Sequence, residues 1–325
     1  MNTATSLPRT PASGTPGGTS SGPDIRLPQG GRILSTGLGF TEGPCTDGPG
    51  HLLVTSINRG SVYRIPLESG QEPELAFECG GGPNGLAVGP NGTIFVAQNG
   101  GTAMASKSQV PAKPSIQQWQ NGNLTVALDT GVSAPSDCVI GPDGCLWFTD
   151  PADHEIFQRG APGHLRSWNP ATGELHTWLT ELAFPNGIAF GPTGTELYLA
   201  ETSLRTVTRY QMTDTGPEAD GWMATIPHGH PDGIALDAAG WLWVAGSTGH
   251  NLMAFDPTGR MCHEIDFGPG VLVTSLCFGG PGLSRLYVTT PKGGTVLEIP
   301  ALHPGLPLPV HRQRGGNIGS PDGGS

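Results

Sequence analysis

One pattern of fifteen residues recurs six times along this chain and limits what it can fold into. Its clearest copy is Pro231-Asp232-Gly233-Ile234-Ala235-Leu236-Asp237-Ala238-Ala239-Gly240-Trp241-Leu242-Trp243-Val244-Ala245. Residues 83–97 and 135–149 align with it without a gap, 185–200 matches it as well, and 41–55 and 273–289 are weaker copies. Each copy is a short apolar run, a turn of the Gly-Pro-Asn-Gly or Asp-Gly kind, and a second run rich in Leu, Trp, Phe, Tyr and Val. That is the signature of a β-hairpin, because Gly, Asn and Asp tolerate the positive φ that tight hairpin turns demand. Third-strand candidates follow, such as Ser61–Pro66 and Thr206–Tyr210, and fourth strands such as Leu175–Leu179. Four short strands per period of about 45 residues is the plan of a propeller blade. The sequence therefore predicts an all-β chain: a six-bladed β-propeller with four-stranded blades around a central channel.

The second position of each copy reads Glu42, Asn84, Ser136, Asn186, Asp232 and Thr274, at intervals of 42, 52, 50, 46 and 42 residues. It is polar every time. Since the innermost strands of all blades line the axis, equivalent positions on them should form a ring. Asn and Asp also shape turns ahead of strands, and for one copy alone that reading competes evenly. Two acids, two amides and two hydroxyls in one column favour the ring. Two carboxylates held together in a channel repel unless a cation or a proton lies between them. Carboxylate with neutral oxygen donors is hard-cation chemistry, which points to one divalent metal: Ca²⁺ first, with Mg²⁺ or Mn²⁺ as alternatives. No His or Cys occupies the column, which disfavours structural zinc and leaves an oxygen-rich catalytic Zn²⁺ open. A water-filled channel plugged by hydrogen-bonded side chains is the plainer alternative.

Gly (52) and Pro (32) are abundant, but with a strict period they mark hairpin turns and not low complexity. The propeller is placed at 32–302, with a disordered Pro/Gly/Ser/Thr-rich segment at 1–31 and a mobile tail at 303–325. Within the first segment's edge, Ile33 and Leu34 look like a strand able to pair with the last blade and close the ring. A net charge of −11 and the absence of a Lys/Arg block argue against nucleic acid and anionic membranes. No apolar run is long enough to span a bilayer and no secretory h-region is evident, so a cytoplasmic chain is expected. Six scattered cysteines read as reduced thiols, Cys45, Cys138 and Cys277 as small core residues, with a Cys45–Cys277 bridge left open. A small-molecule substrate and a monomer or weak homodimer complete the expectation. The excursion Thr102–Ser115 has no strand pattern and is a candidate for shaping a pocket.

Several stretches, in order, resemble the regucalcin/gluconolactonase family of six-bladed propellers over about residues 38–300. They are Thr41-Glu42-Gly43-Pro44, Pro83-Asn84-Gly85-Leu86, Leu146-Trp147-Phe148-Thr149-Asp150-Pro151, Phe184-Pro185-Asn186-Gly187-Ile188, Pro231-Asp232-Gly233-Ile234 and Cys277-Phe278-Gly279-Gly280. The resemblance implies an axial divalent metal held by Glu42, Ser136, Asn186 and Asp232. Ser136 departs from it, since the family carries Asn there, and a hydroxyl is a shorter and poorer ligand. It also implies a lactone-opening hydrolase acting on a sugar-acid lactone such as gluconolactone. Asp232 is then a candidate general base or a plain ligand, and Asn84, Ser136, Asp137, His154 and His230 are candidate substrate contacts; Glu201, at a strand end, reads as structural. An ester or organophosphate hydrolase on the same site, or a Ca²⁺-binding propeller without turnover, are the rival readings.

Overall fold

In the computed structural model, which describes residues 24–68 and 70–308, six antiparallel four-stranded sheets surround one axis. Each hairpin copy supplies the two innermost strands of a blade. Blade 1 runs through Thr41–Thr46, His51–Ser56, Ser61–Pro66 and Glu74–Glu78, and blade 4 through Pro185–Phe190, Glu196–Glu201, Thr206–Thr213 and Gly216–Thr225. Blade 6 takes its outermost strand, Arg32–Ser35, from the other end of the chain, with Arg32 opposite Glu298 and Ile33 opposite Leu297. Arg32 forks onto the Glu298 carboxylate, its Nε and Nη2 donating at 3.0 and 2.6 Å. This pairing of the two ends of the chain closes the ring.

Apolar side chains gather into six clusters, one at each seam between neighbouring blades. At the seam of blades 3 and 4, Trp147 packs against Ile188, Phe190 and Leu199. The hairpin turns hold the large aromatics in place. Trp147 Nε1 donates to Asp143 and Trp243 Nε1 to Asp237, each at 3.1 Å. The turn acids thus do two things: they satisfy the turn's N–H groups and anchor a buried indole.

Both ends of the propeller extend further than the sequence suggests. Ile25 and Leu27, placed in the disordered segment by composition, pack against the cluster between blades 5 and 6, and Arg26 N–H donates to Phe267 C=O at 2.9 Å. Residues 303–308, assigned to the tail, are also fastened: Ala238 N–H donates to Pro304 C=O at 2.8 Å and Leu306 N–H to Leu236 C=O at 3.1 Å. Two or three apolar residues in a Pro/Gly background suffice to dock a segment, and composition averages miss them. The disorder expected for 1–23 and the mobility expected for 309–325 concern positions outside the described residues. All six cysteines are free thiols, so the open Cys45–Cys277 bridge is absent, and Cys262 is exposed.

Candidate functional site: the axial ring

The column becomes a ring because neighbouring blades are tied together at that level. Thr55 Oγ1 donates to Asn84 C=O at 2.8 Å, Gly85 N–H to Ser136 C=O at 2.7 Å, and Gly187 N–H to Asp232 C=O at 3.1 Å. Gly233 N–H donates to Thr274 C=O at 2.9 Å, and Thr274 Oγ1 to Thr41 C=O at 2.9 Å. The remaining seam, between blades 3 and 4, is tied by Ile188 N–H donating to Asp137 Oδ2 at 3.2 Å. These ties explain the glycine that follows most ring residues. A Cβ on Gly187 would run into the Asp232 carbonyl and reach 2.8 Å from Ile234 N; one on Gly85 would lie 2.8 Å from Asp137 Cα. The backbone approach that builds the ring leaves no room for a side chain.

Four ring side chains form a hydrogen-bonded arc. Asn84 Nδ2 donates to Ser136 Oγ at 3.2 Å, and Ser136 Oγ donates to Asn186 Oδ1 at 3.3 Å. Asn186 hydrogen-bonds in turn to the Asp232 carboxylate, and its amide is steadied by Thr202 Oγ1 at 3.3 Å, itself donating to Pro231 C=O at 2.8 Å. Glu42 completes the arrangement, only 7% exposed, with Gly43 N–H donating to its Oε2 at 3.0 Å. Burial pushes the Glu42 and Asp232 carboxyls well above the usual range; the charge of Asp232 adds to this for Glu42, and that of Asp137 adds to it for both. Two acids are therefore held where each resists ionising unless a positive charge joins them. Among the described residues no three His, Cys, Asp or Glu side chains come together as a chelating group. A metal here would draw on two carboxylates, the Asn186 amide oxygen and neutral hydroxyl or water oxygens. That mixed set fits a hard divalent cation and suits a thiophilic one poorly.

Two expectations are revised by the geometry. Thr274 belongs to the column but not to the oxygen cluster: its hydroxyl is engaged with Thr41 C=O, Thr289 C=O and Thr289 Oγ1 at 2.9 to 3.2 Å. It seals the last seam. Asp137, expected at the substrate mouth, turns the other way. Its Oδ1 accepts from Cys138 N–H at 2.9 Å and its Oδ2 from Ile188 N–H, and it lines the channel beyond the ring. Burial raises its pKa to about 6.

The two histidines stand in loops just ahead of, or across from, the start of the inner strands. His230 Nδ1 is 2.8 Å from Thr248 Oγ1, two residues ahead of Asp232, and burial lowers its pKa. His154 packs edge-on against Phe184, two residues ahead of Asn186, and its Nε2 is buried without a hydrogen-bond partner among the described residues. The segment that carries His154, between the second and third strands of blade 3, reaches toward blades 4 and 5: Ser203 Oγ donates to Glu155 C=O at 2.5 Å, and Phe157, 76% exposed, stands against the His230 ring at 5.3 Å. Phe157 and Thr248 were not legible as site residues, since they lie in loops outside the repeat. The long excursion after Asn99 leans outward onto blade 1, with Lys107 N–H donating to Asn58 C=O at 2.8 Å. Glu201 is structural as expected, accepting Ala183 N–H at 2.8 Å.

Fold and ring together define a class, the six-bladed propeller with a polar axial site. The chain belongs to the SMP-30/gluconolactonase/LRE-like family, whose pattern matches residues 40–292. It is 38% identical over 125 residues to a pentonolactonase of Haloferax volcanii, covering 37% of this chain and 43% of that one. It is 23% identical over 288 residues to a gluconolactonase of Zymomonas mobilis, covering 77% and 76%. It is also similar, at 27% identity over 253 residues, to the adipocyte plasma membrane-associated protein of Rattus norvegicus, covering 70% and 64%. For the first relatives it matches, the chain spans between 43% and 64% of their length. A gluconolactonase structure from Xanthomonas campestris superposes with a TM-score of 0.68 at 21% identity, covering 87% of this chain and 95% of that one. The regucalcin of Agrobacterium tumefaciens superposes at 0.65 with 22% identity, covering 86% and 97%. No helix among the described residues is long and apolar enough to cross a membrane.

Proposed function

We propose that this chain is a divalent-metal-dependent hydrolase that opens the lactone ring of a sugar acid. The observation that carries the reading is the pairing of Glu42, buried, with Asp232, half-buried, two carboxyls whose pKa values are driven up by desolvation and by acid neighbours. The lactonases among the relatives support the substrate class. Glu42, Asn186 and Asp232 would hold the cation, with the Ser136 hydroxyl or a water taking the remaining place. When bound, such an ion polarises a lactone carbonyl and acidifies a water molecule.

The chain's own residues supply the rest. Asp232 accepts the proton that water loses on attacking the carbonyl carbon. Breaking the ring C–O bond then leaves an alkoxide that must be protonated, and the same carboxyl is placed to return that proton. Asn84 and Ser136, locked by their mutual hydrogen bond, offer fixed polar groups to substrate hydroxyls. His230, steadied by Thr248, and His154 form the side of the mouth and keep it partly dry. The native ion is read as Ca²⁺ from the donor set, and the chain as cytoplasmic from its reduced thiols.

The test is hydrolysis of pentono- and hexonolactones and simple aryl esters by chelator-treated protein, with Ca²⁺, Mn²⁺ or Zn²⁺ restored. Activity should vanish with chelator, return with one ion, and fall by roughly 10³-fold in Asp232→Ala. A protein that binds metal yet turns over no lactone would replace this reading with a metal-binding propeller.

A further inference from the structure

The side chain of Asn186 has two unlike ends, an oxygen that accepts and a nitrogen that donates, and only the oxygen can hold a cation. Which end is offered to the ring is settled by a chain of hydrogen bonds that crosses four blades in one direction. Asn84 Nδ2 donates to Ser136 Oγ at 3.2 Å, and Ser136 Oγ donates to Asn186 Oδ1 at 3.3 Å. Asn186 Nδ2 donates to Thr202 Oγ1 at 3.3 Å, and Thr202 Oγ1 donates to Pro231 C=O at 2.8 Å. The second hydrogen of the Asn186 amide serves the Asp232 carboxylate.

The direction of the chain is imposed at its Thr202 end. A hydroxyl has one hydrogen, and Thr202 gives it to Pro231 C=O, so only lone pairs are left to face Asn186. Those accept an N–H and repel a carbonyl oxygen. With the amide reversed, Oδ1 would stand against the Thr202 lone pairs and the Asp232 carboxylate together.

Thr202 is itself held firmly. It is 2% exposed, and its N–H donates at 3.0 Å to the C=O of Phe184, two residues ahead of Asn186. Its hydroxyl reaches the residue just ahead of Asp232, so it ties the starts of the inner strands of blades 4 and 5. Blade architecture does not demand this hydroxyl. The equivalent places, two residues past the other copies of the repeat, hold Ile57, Asn99, Pro151, Ser247 and Pro291.

We propose that Thr202 is a positioning residue for the ring: its hydroxyl keeps the Asn186 oxygen presented to the ring and the NH₂ group turned to Thr202 and Asp232. The orientation stands on the hydrogen bonds alone, and its consequence for cation binding rests on the function proposed above.

Two measurements on the full chain test it. In isotope-labelled, chelator-treated protein, the side-chain NH₂ resonances of Asn186 are those missing from Asn186→Asp. Thr202→Val keeps the shape and loses both hydrogen bonds, so exchange of that NH₂ with water should run roughly tenfold faster, whereas Thr202→Ser should stay within about twofold of wild type. By calorimetry, Ca²⁺ affinity should fall by roughly tenfold or more in Thr202→Val and remain within about threefold of wild type in Thr202→Ser. In the Asn186→Asp background both ends are oxygen and nothing is left to orient, so Thr202→Val should change affinity by less than about threefold. Should Thr202→Val fold poorly, Thr202→Cys, close in size with a weak donor and acceptor, carries both measurements. Unchanged exchange or unchanged affinity in Thr202→Val overturns the role, as does a loss in Thr202→Ser as large as in Thr202→Val. A wild type that binds no cation would overturn the proposed function instead, and the exchange rates would still decide the role of Thr202.

Discussion

Glu42→Gln should cut lactone hydrolysis by roughly 10²–10³-fold while making the chelator-treated protein more stable. The two effects have one cause. Glu42 is buried and Asp232 half-buried, and their proximity costs free energy without a cation between them. Glutamine preserves the shape and the contact with Gly43 N–H but removes one charge. The metal loses a ligand, and the empty ring loses its repulsion. A variant that became less stable without metal would contradict this origin of strain.

The pH dependence follows with a definite sign. A carboxyl whose folded-state pKa is raised binds more protons in the native than in the unfolded state, so stability falls as pH rises through that interval. For the chelated wild type the window opens near the ordinary carboxylate value of about 4. It extends to about 6 for Asp137, and the raised carboxyls of Glu42 and Asp232 act in the same direction. The Tm of the chelated protein should therefore decline from acid toward neutral pH, less steeply in Glu42→Gln. Saturating metal should flatten the curve by holding both acids ionised.

Gly187→Ala should lower the Tm by roughly 5–10 °C, a cost of about 2–3 kcal/mol. A methyl group there has no free volume: it meets main-chain atoms of Asp232 and Ile234 in the next blade, and backbone cannot rotate away as a side chain can. The same displacement moves Asp232, so activity should fall along with stability. Gly50→Ala is the control. Its Cβ would meet nothing within 4 Å, and the change should stay within about 0.5 kcal/mol. Equal effects at the two positions would show that the seam is not what Gly187 protects.

How far the sequence could be read depended on whether a feature repeats. The blades, the closing strand at Ile33 and Leu34, and the convergence of Asn84, Ser136, Asn186 and Asp232 all follow from one periodic pattern, since equivalent residues on equivalent strands meet at the axis. Thr274 shares the period but not the role, because blade 6 must also close onto blade 1 and its hydroxyl is taken up at that seam. Asp137 stands where four other blades carry Gly, and only coordinates show that its carboxylate replaces a backbone tie. Phe157 approaches His230 through a loop whose course no period dictates.

The proposed function stands on one divalent cation held on the axis by Glu42, Asn186 and Asp232. Calorimetric titration of Ca²⁺ into chelator-treated protein, with Mn²⁺ and Zn²⁺ run alongside, decides it. A single site is expected, with protons released on binding because both acids must ionise, and an affinity lowered by roughly 100-fold or more in Glu42→Gln and in Asp232→Asn. Failure of all three ions to bind, or binding untouched in both variants, would contradict it.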